Sequence, residues 1–328
     1  MVSSKHSWKA WIYLAPAIIL LLVFTVWPIA NSVVMAFNEG YNALIAASGG
    51  FEFNFGFGNF TKAFSSGSNF IIYGLSDIPR KGLGALGNTM LLTIITVPVS
   101  TLLALLIAVA LNSIKPLQRF YQTVFFLPYV TNSIAIGLVF QAMFNVTFSS
   151  AGSPDSIGVF NFLIQPILQA IGLEYIDWIG VTSSYWAKIF VTSIYIIWNA
   201  LPFKILILLG GLQSVSKQYY DAAKVDGTSR FRVFTRITVP LLSPMLSYVI
   251  ITSFISGFKE YSSVVALFEN DSMVESGQLS TMVGYIYQFI SGNDSQYGAA
   301  AAAALILFAI IFAVTMVNLY VSKKNTHY

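Results

Sequence analysis

Gln213–Pro244 reads QSVSKQYYDAAKVDGTSRFRVFTRITVPLLSP, a polar and basic island between two long apolar runs. Tyr219, Ala222 and Ala223 recur at helical spacing across Lys217–Val225. Gly227, just beyond Asp226, supplies the left-handed residue on which a helix reverses. Phe231, Phe234 and Ile237 fall three apart across Ser229–Val239 and form one apolar stripe of a second helix. Lys224, Arg230, Arg232 and Arg236 set positive charge around that stripe, and Pro240 and Pro244 mark entry into the next apolar run. The pattern is a basic helix–Gly–helix knob, a shape suited to docking at a membrane surface.

Working outward, the apolar runs decide the class. The 328 residues are 56% hydrophobic and 9% charged, with a mean hydropathy of +0.73. Soluble domains carry about 25% charged residues, so this is an integral membrane protein. Six runs, near 10–37, 88–112, 120–145, 185–212, 241–268 and 297–321, are about long enough to cross a ~30 Å hydrocarbon core. The expected fold is all-α: a single polytopic domain over 1–328 with six transmembrane helices. The first run exceeds a signal-peptide core and lacks a small-residue cleavage site, so it reads as an uncleaved span. Asn38–Gly87 is polar and Gly-rich with Phe51, Phe53, Phe55, Phe57 and Phe60 interleaved, which fits either a strand or a membrane-surface loop. A short surface helix is expected at Phe160–Ile171 within the polar segment Val146–Ser184.

Charge orients the chain. The termini, the link Ser113–Arg119 and the island carry Lys5, Lys9, Lys115, Arg119, Lys217, Lys224, Arg230, Arg232, Arg236, Lys323 and Lys324 against only Asp221 and Asp226. The opposite segments carry Lys62, Arg80 and Lys81 against ten acids, among them Asp177 and the acidic stretch Glu269–Gln296. The lysine and arginine bias places both termini and the island in the cytoplasm. The same retention accounts for the net charge of +4 without invoking nucleic acid. There are no cysteines, and His6 and His327 lie at the ends, so neither a metal site nor a nucleophile–base pair stands out.

Ionisable residues inside a span are costly and usually face a cavity or a partner. Lys204 falls in the fourth run, and Lys259 and Glu260 in the fifth. Ser253, Ser256, Gly257 and Glu260 follow i, i+3, i+4, i+7 and share one helix face. Hydroxyls and a carboxylate in an apolar helix suit a neutral polyol. Trp198, Asn199 and Phe203 offer an aromatic plane and an amide, and Pro202 interrupts the backbone ladder between them.

Asp221-Ala222-Ala223, three residues, Gly227, nine residues, Ile237, one residue, Val239-Pro240 resembles the EAA loop of ABC importer membrane subunits, Glu-Ala-Ala, Gly, Ile-x-Leu-Pro at that spacing. Asp221 stands for Glu and Val239 for Leu. Ala10–Asn38 (AWIYLAPAIILLLVFTVWPIANSVVMAFN), the Gly-x-x-Asn-[Tyr/Phe] loop start at Gly56–Phe64, Trp198–Gln213 (WNALPFKILILLGGLQ) and the Tyr297–Lys324 tail look like the maltose-type, larger-partner permeases. Leu267–Gln278, LFENDSMVESGQ, departs from that group's usual Leu-Thr-x-Gly-Gly-Pro.

The resemblance implies a permease subunit of a binding-protein-dependent importer in the bacterial cytoplasmic membrane, carrying an oligosaccharide or related carbohydrate. It implies a similar second permease, two ATPase subunits holding ATP and magnesium, and an extracytoplasmic solute-binding protein. The coupling loop 213–244 would present Asp221, Ala222, Ala223, Asp226, Gly227 and Arg230 to the ATPases, with Phe231 and Phe234 anchoring it to its own spans. Asn199, Ala200, Phe203, Ser253, Ser256, Gly257 and Glu260 match positions that line the sugar cavity in that family, and all but Ala200 are taken as contacts. The chain has no G-x-x-x-x-G-K-[ST] pattern, so hydrolysis belongs to a partner and this chain is no enzyme. Alternatives are import of a glycerol phosphoester or amine by the same architecture, with Lys204 or Lys259 as anion ligand. A secondary carrier using Glu260 as a proton site, or a structural or sensory subunit, are the others.

Overall fold

The computed structural model describes residues 7–41, 50, 52–65, 83–114, 118–148, 154–170, 172, 175–180, 183–268, 279–291 and 296–325. Along the chain run α1 (Ser7–Leu21), a π-helical turn (Leu22–Val26), α2 (Trp27–Phe37), α3 (Gly58–Ser65), α4 (Gly84–Ser113), α5 (Gln118–Val130) and α6 (Ser133–Phe144). A two-stranded antiparallel ribbon follows, β1 (Val146–Phe148) with β2 (Pro154–Ile157), then α7 (Val159–Ala170) and α8 (Tyr185–Ser214). The chain continues through α9 (Lys217–Val225), α10 (Arg230–Val233), a second π-turn (Phe234–Thr238), α11 (Val239–Leu241), α12 (Ser243–Phe258), α13 (Ser262–Phe268), α14 (Met282–Ser291) and α15 (Tyr297–Asn325). The acidic loop 269–278, Lys115, Pro116, Arg80, Lys81, Phe51, His6 and His327 lie outside the described residues.

Trp11–Phe37, Gly84–Ser113, Tyr185–Ser214 and Tyr297–Lys323 are each long and apolar enough to span a membrane. The number rises to six when two bent pairs count as one span each. In the first pair the run 120–145 is broken: α5 and α6 meet at 96°. Asn132 accepts from the Ile134 amide at 2.8 Å and starts α6 as an N-cap. In the second, Arg230–Leu241 and Ser243–Phe258 meet at 70°.

The run 241–268 also stops short of one helix. α12 ends at Phe258, so Lys259 and Glu260 lie in a break rather than inside a helix. Glu260 Oε1 accepts from the Ser263 amide at 3.0 Å and its hydroxyl at 2.7 Å, which starts α13.

Two compact units are distinguished, residues 1–67 with 286–308, and 68–285 with 309–328. In the first, the long helix of α1, the π-turn and α2 is sheathed in exposed apolar side chains such as Leu14, Ile19 and Phe24, as a lipid-facing helix must be. The phenylalanine stretch begins extended, with Asn38 bridged to Phe55, and becomes α3 from Gly58. Phe37 stacks on Phe55 at 5.7 Å and packs on Phe60 at 5.1 Å. The Asn59 amide donates to the carbonyls of Met35, Ala36 and Asn38, closing the end of α2.

In the second unit α4 and α8 pack along each other, with α12 and α5 against them. Their contact holds two apolar cores. One gathers Leu92, Tyr185, Ile189, Tyr195, Val264 and Leu267; the other gathers Ala104, Ala108, Ile205, Leu208, Leu242 and Val249. On α4 the first core ends at Leu92 and the second begins at Ala104; on α8 the corresponding residues are Ile196 and Ile205. Both gaps fall at mid-helix.

Candidate functional site

Polar residues fill that gap. Thr93, Thr96 and Ser100 fall within it on the buried face of α4, continuing at helical spacing from Thr89. Each hydroxyl that bonds back to its own helix satisfies itself at little cost: Thr89 to Ala85, Thr93 to Thr89, and Ser100 to Thr96. Ser100 Oγ also accepts from Lys204 Nζ at 2.6 Å, and Thr101 Oγ1 accepts from the same ammonium at 3.1 Å.

A cavity of about 430 Å³ opens at this level, within the ~300–1,000 Å³ range of ligand pockets. α4 gives it Thr96, Val97 and Ser100, α5 gives Tyr129, and α8 gives Ile196, Asn199, Ala200, Phe203 and Lys204. α12 and its end give Thr252, Ser253, Ser256, Gly257 and Glu260. The six residues Asn199, Phe203, Ser253, Ser256, Gly257 and Glu260 therefore line one cavity, whereas Trp198, picked with them as an aromatic plane, is not among its lining residues and packs on Phe140 at 5.4 Å. Phe203 stacks on Tyr129, centroids 5.9 Å apart and planes 19° apart, which presents aromatic surface to the space.

The six do not stand alike. Ser253 Oγ bonds back to the Val249 carbonyl at 2.5 Å, so its hydrogen is committed to its own helix. Gly257 serves packing as well: a Cβ there would meet Thr93 at 2.8 Å, so the glycine lets α12 lie close on α4. Pro202 is buried within α8 and, lacking an amide hydrogen, leaves the Trp198 carbonyl without its ladder donor, yet the helix continues through it from Tyr185 to Ser214.

Sequence reasoning missed the α4 wall, though the Thr/Ser periodicity in an apolar run was its signal. It also missed Lys188, wholly buried on α8 within electrostatic reach of Asp177.

The island is the other candidate region. α9 ends in a left-handed reversal: Gly227 has φ +64°, the Thr228 amide reaches the Ala223 carbonyl at 3.0 Å, and the Gly227 amide reaches that of Lys224 at 3.1 Å. Ser216 and Ser229 cap α9 and α10 through their hydroxyls, and Tyr220 meets Thr238 at 3.4 Å. Ala223 is buried, while Asp221, Ala222, Asp226, Gly227 and Arg230 are exposed. The two aromatic anchors part company. Phe234 packs on the second core, but Phe231 is 77% exposed. Residues three apart on an α-helix sit about 60° apart around its axis, so Phe234 can meet the core while Phe231, within Arg230–Val233, faces away from it.

Against known proteins, the family described as "Binding-protein-dependent transport system inner membrane component" matches residues 100–327. The chain is 32% identical over 240 residues to the arabinooligosaccharides transport system permease protein AraP of Halalkalibacterium halodurans, covering 73% of this chain and 70% of that one. It is 26% identical over 320 residues to the lactose transport system permease protein LacF of Rhizobium radiobacter, covering 97% and 95%. In fold it is similar to a chain of a bacterial ABC transporter involved in import of the acidic polysaccharide alginate. That match has a TM-score of 0.70 and 21% identity, and covers 98% of each chain.

Proposed function

This chain belongs to the family of binding-protein-dependent transport system inner membrane components, and from that premise we propose that it is the permease subunit of an ATP-driven carbohydrate importer. The observation that carries the reading is the mid-helix cavity, where an amide, hydroxyls, a carboxylate and a stacked aromatic pair converge between two apolar cores. Hydroxyl-rich solutes are held by such groups, and a site at mid-span suits alternating access. The arabinooligosaccharide and lactose permeases among its relatives support a sugar as cargo. Asn199, Phe203, Ser256 and Glu260 would make direct contacts, with Ser253 and Gly257 shaping the wall.

The knob 213–244 acts as the lever. Its Asp221, Ala222, Ala223, Asp226, Gly227 and Arg230 enter clefts on separate ATPase subunits, which bind ATP and magnesium and perform the hydrolysis. Phe234 and the Tyr220–Thr238 contact tie the knob to the spans, so closure of the ATPases is passed on as displacement. The knob and both termini lie in the cytoplasm, as the lysine and arginine bias requires. A second permease completes the pathway, and an extracytoplasmic binding protein delivers the sugar. Proteoliposomes carrying the full set of subunits test the reading. ATP-dependent uptake of a labelled arabino- or galacto-oligosaccharide that needs the binding protein is expected. Uptake abolished by a protonophore and indifferent to loss of the ATPases would replace it with a secondary carrier.

A further inference from the structure

Among the residues lining the cavity, Lys204 is the one cation and Glu260 the one carboxylate. Lys204 is only 4% exposed. Its ammonium donates to the Ser100 and Thr101 hydroxyls, both neutral, and an ammonium has three N–H donors. One N–H is left for a guest. The arrangement also aims the group: Ser100 sends its own hydrogen to the Thr96 carbonyl, so its oxygen can only accept from Lys204.

A charge held out of water is costly unless an opposite charge joins it. Glu260 does not supply that charge. No ion pair links the two, and Glu260 Oε1 is occupied by the amide and hydroxyl of Ser263. For a neutral sugar, a leucine or methionine at this position would line the cavity without that cost. The lysine therefore has a use when an anion enters beside it.

We propose that the cavity takes an acidic sugar, its carboxylate, sulfate or phosphate group against Lys204 and its hydroxyls toward Asn199, Ser256 and Glu260. This rests on the reading of the cavity as the carbohydrate site and narrows the class of cargo. The Phe203–Tyr129 pair then faces the apolar side of the sugar ring, away from the charge.

The test uses the complete importer in nanodiscs, titrated with short oligogalacturonides, matched neutral galacto-oligosaccharides, glucose 6-phosphate and glycerol 3-phosphate. The wild-type complex is expected to bind an acidic sugar about tenfold or more tightly than its neutral counterpart, as one charge-assisted contact allows. Whether the uronate or the sugar phosphate is preferred identifies the anionic group. Lys204→Met is expected to erase the margin and Lys204→Arg to retain it. Neutral sugars binding wild type as tightly as acidic ones would overturn the inference and leave the carbohydrate reading standing. Glycerol 3-phosphate binding alone would overturn both. The wild-type comparison decides even if neither variant assembles.

Discussion

The knob and the cavity are built from adjoining parts of one stretch, α8 to α12, yet they treat charge in opposite ways. The knob spreads Lys217, Lys224, Arg230, Arg232 and Arg236 over exposed positions. Its Lys224–Asp221 pair is loose, at 3.7 Å between side chains 77% and 52% exposed. The cavity holds a single buried ammonium on two hydroxyls, the nearer at 2.6 Å. In water, charges act as a summed field screened over about 8 Å, and no single one is decisive. At membrane depth a charge depends on the few groups that touch it, so a single side chain weighs more than on the knob. What matters on the knob is its shape; what matters in the cavity is one group.

Five substitutions put that contrast under strain. Gly227→Val should have the largest consequence, because a β-branched residue at φ +64° costs on the order of 1–2 kcal/mol or reshapes the reversal. No atom stands within 4 Å of the added Cβ, so any effect is conformational. Uptake by the reconstituted importer should collapse while ATP hydrolysis persists; normal uptake would remove shape as the knob's contribution. Gly257→Leu drives a side chain into Thr93 and should destabilise the chain by about 1–3 kcal/mol. Thermal unfolding in detergent reads this, and Thr93→Ala in the same chain should restore part of it.

The phenylalanines sharpen the comparison next. Phe234→Ala removes a ring from the second core and should lower stability by about 1–3 kcal/mol, less than the loss of a fully buried ring. Phe231→Ala should stay within about 0.5 kcal/mol, as exposed positions do, and show its loss only in uptake. Equal destabilisation by both would mean that the sequence reading of two anchors was right after all. Lys224→Ala should be the mildest, under about 1 kcal/mol, since exposed ion pairs contribute little. A large loss of uptake from that change alone would erase the distinction between the two regions.

Much of this was legible before any coordinates. The sustained hydropathy of Gly84–Ser113 and Tyr185–Ser214 marks helices whatever packs around them. Lys217–Val225 was marked by its own helical spacing and by Gly227 behind it, and α7 appeared within a residue of its expected limits. The α12 wall of Ser253, Ser256 and Gly257 followed from helical spacing, while Glu260 lines the same cavity from the break beyond the helix.

The breaks were harder because hydropathy averages over them. Thr131-Asn132-Ser133 is a short polar interval in a long apolar run, too brief to lower the mean, although Asn132 is a strong cap residue. Lys259 and Glu260 looked embedded in a span, while the competing capping bond from Glu260 to Ser263 depends on geometry that spacing does not reveal. Phe231 was misassigned because an exact three-residue repeat drifts around a helix of 3.6 residues per turn, so the first ring of the stripe need not face where the second does.

The elbow between α5 and α6 carries a consequence of its own. Pro128 removes the amide that would have closed the ladder onto Val124, and Thr131 and Asn132 stand exposed at the corner. Acyl chains offer no hydrogen-bonding groups to peptide units bared by such a turn. Any part of that corner at the depth of the acyl chains needs water or neighbouring protein, rather than lipid, against it.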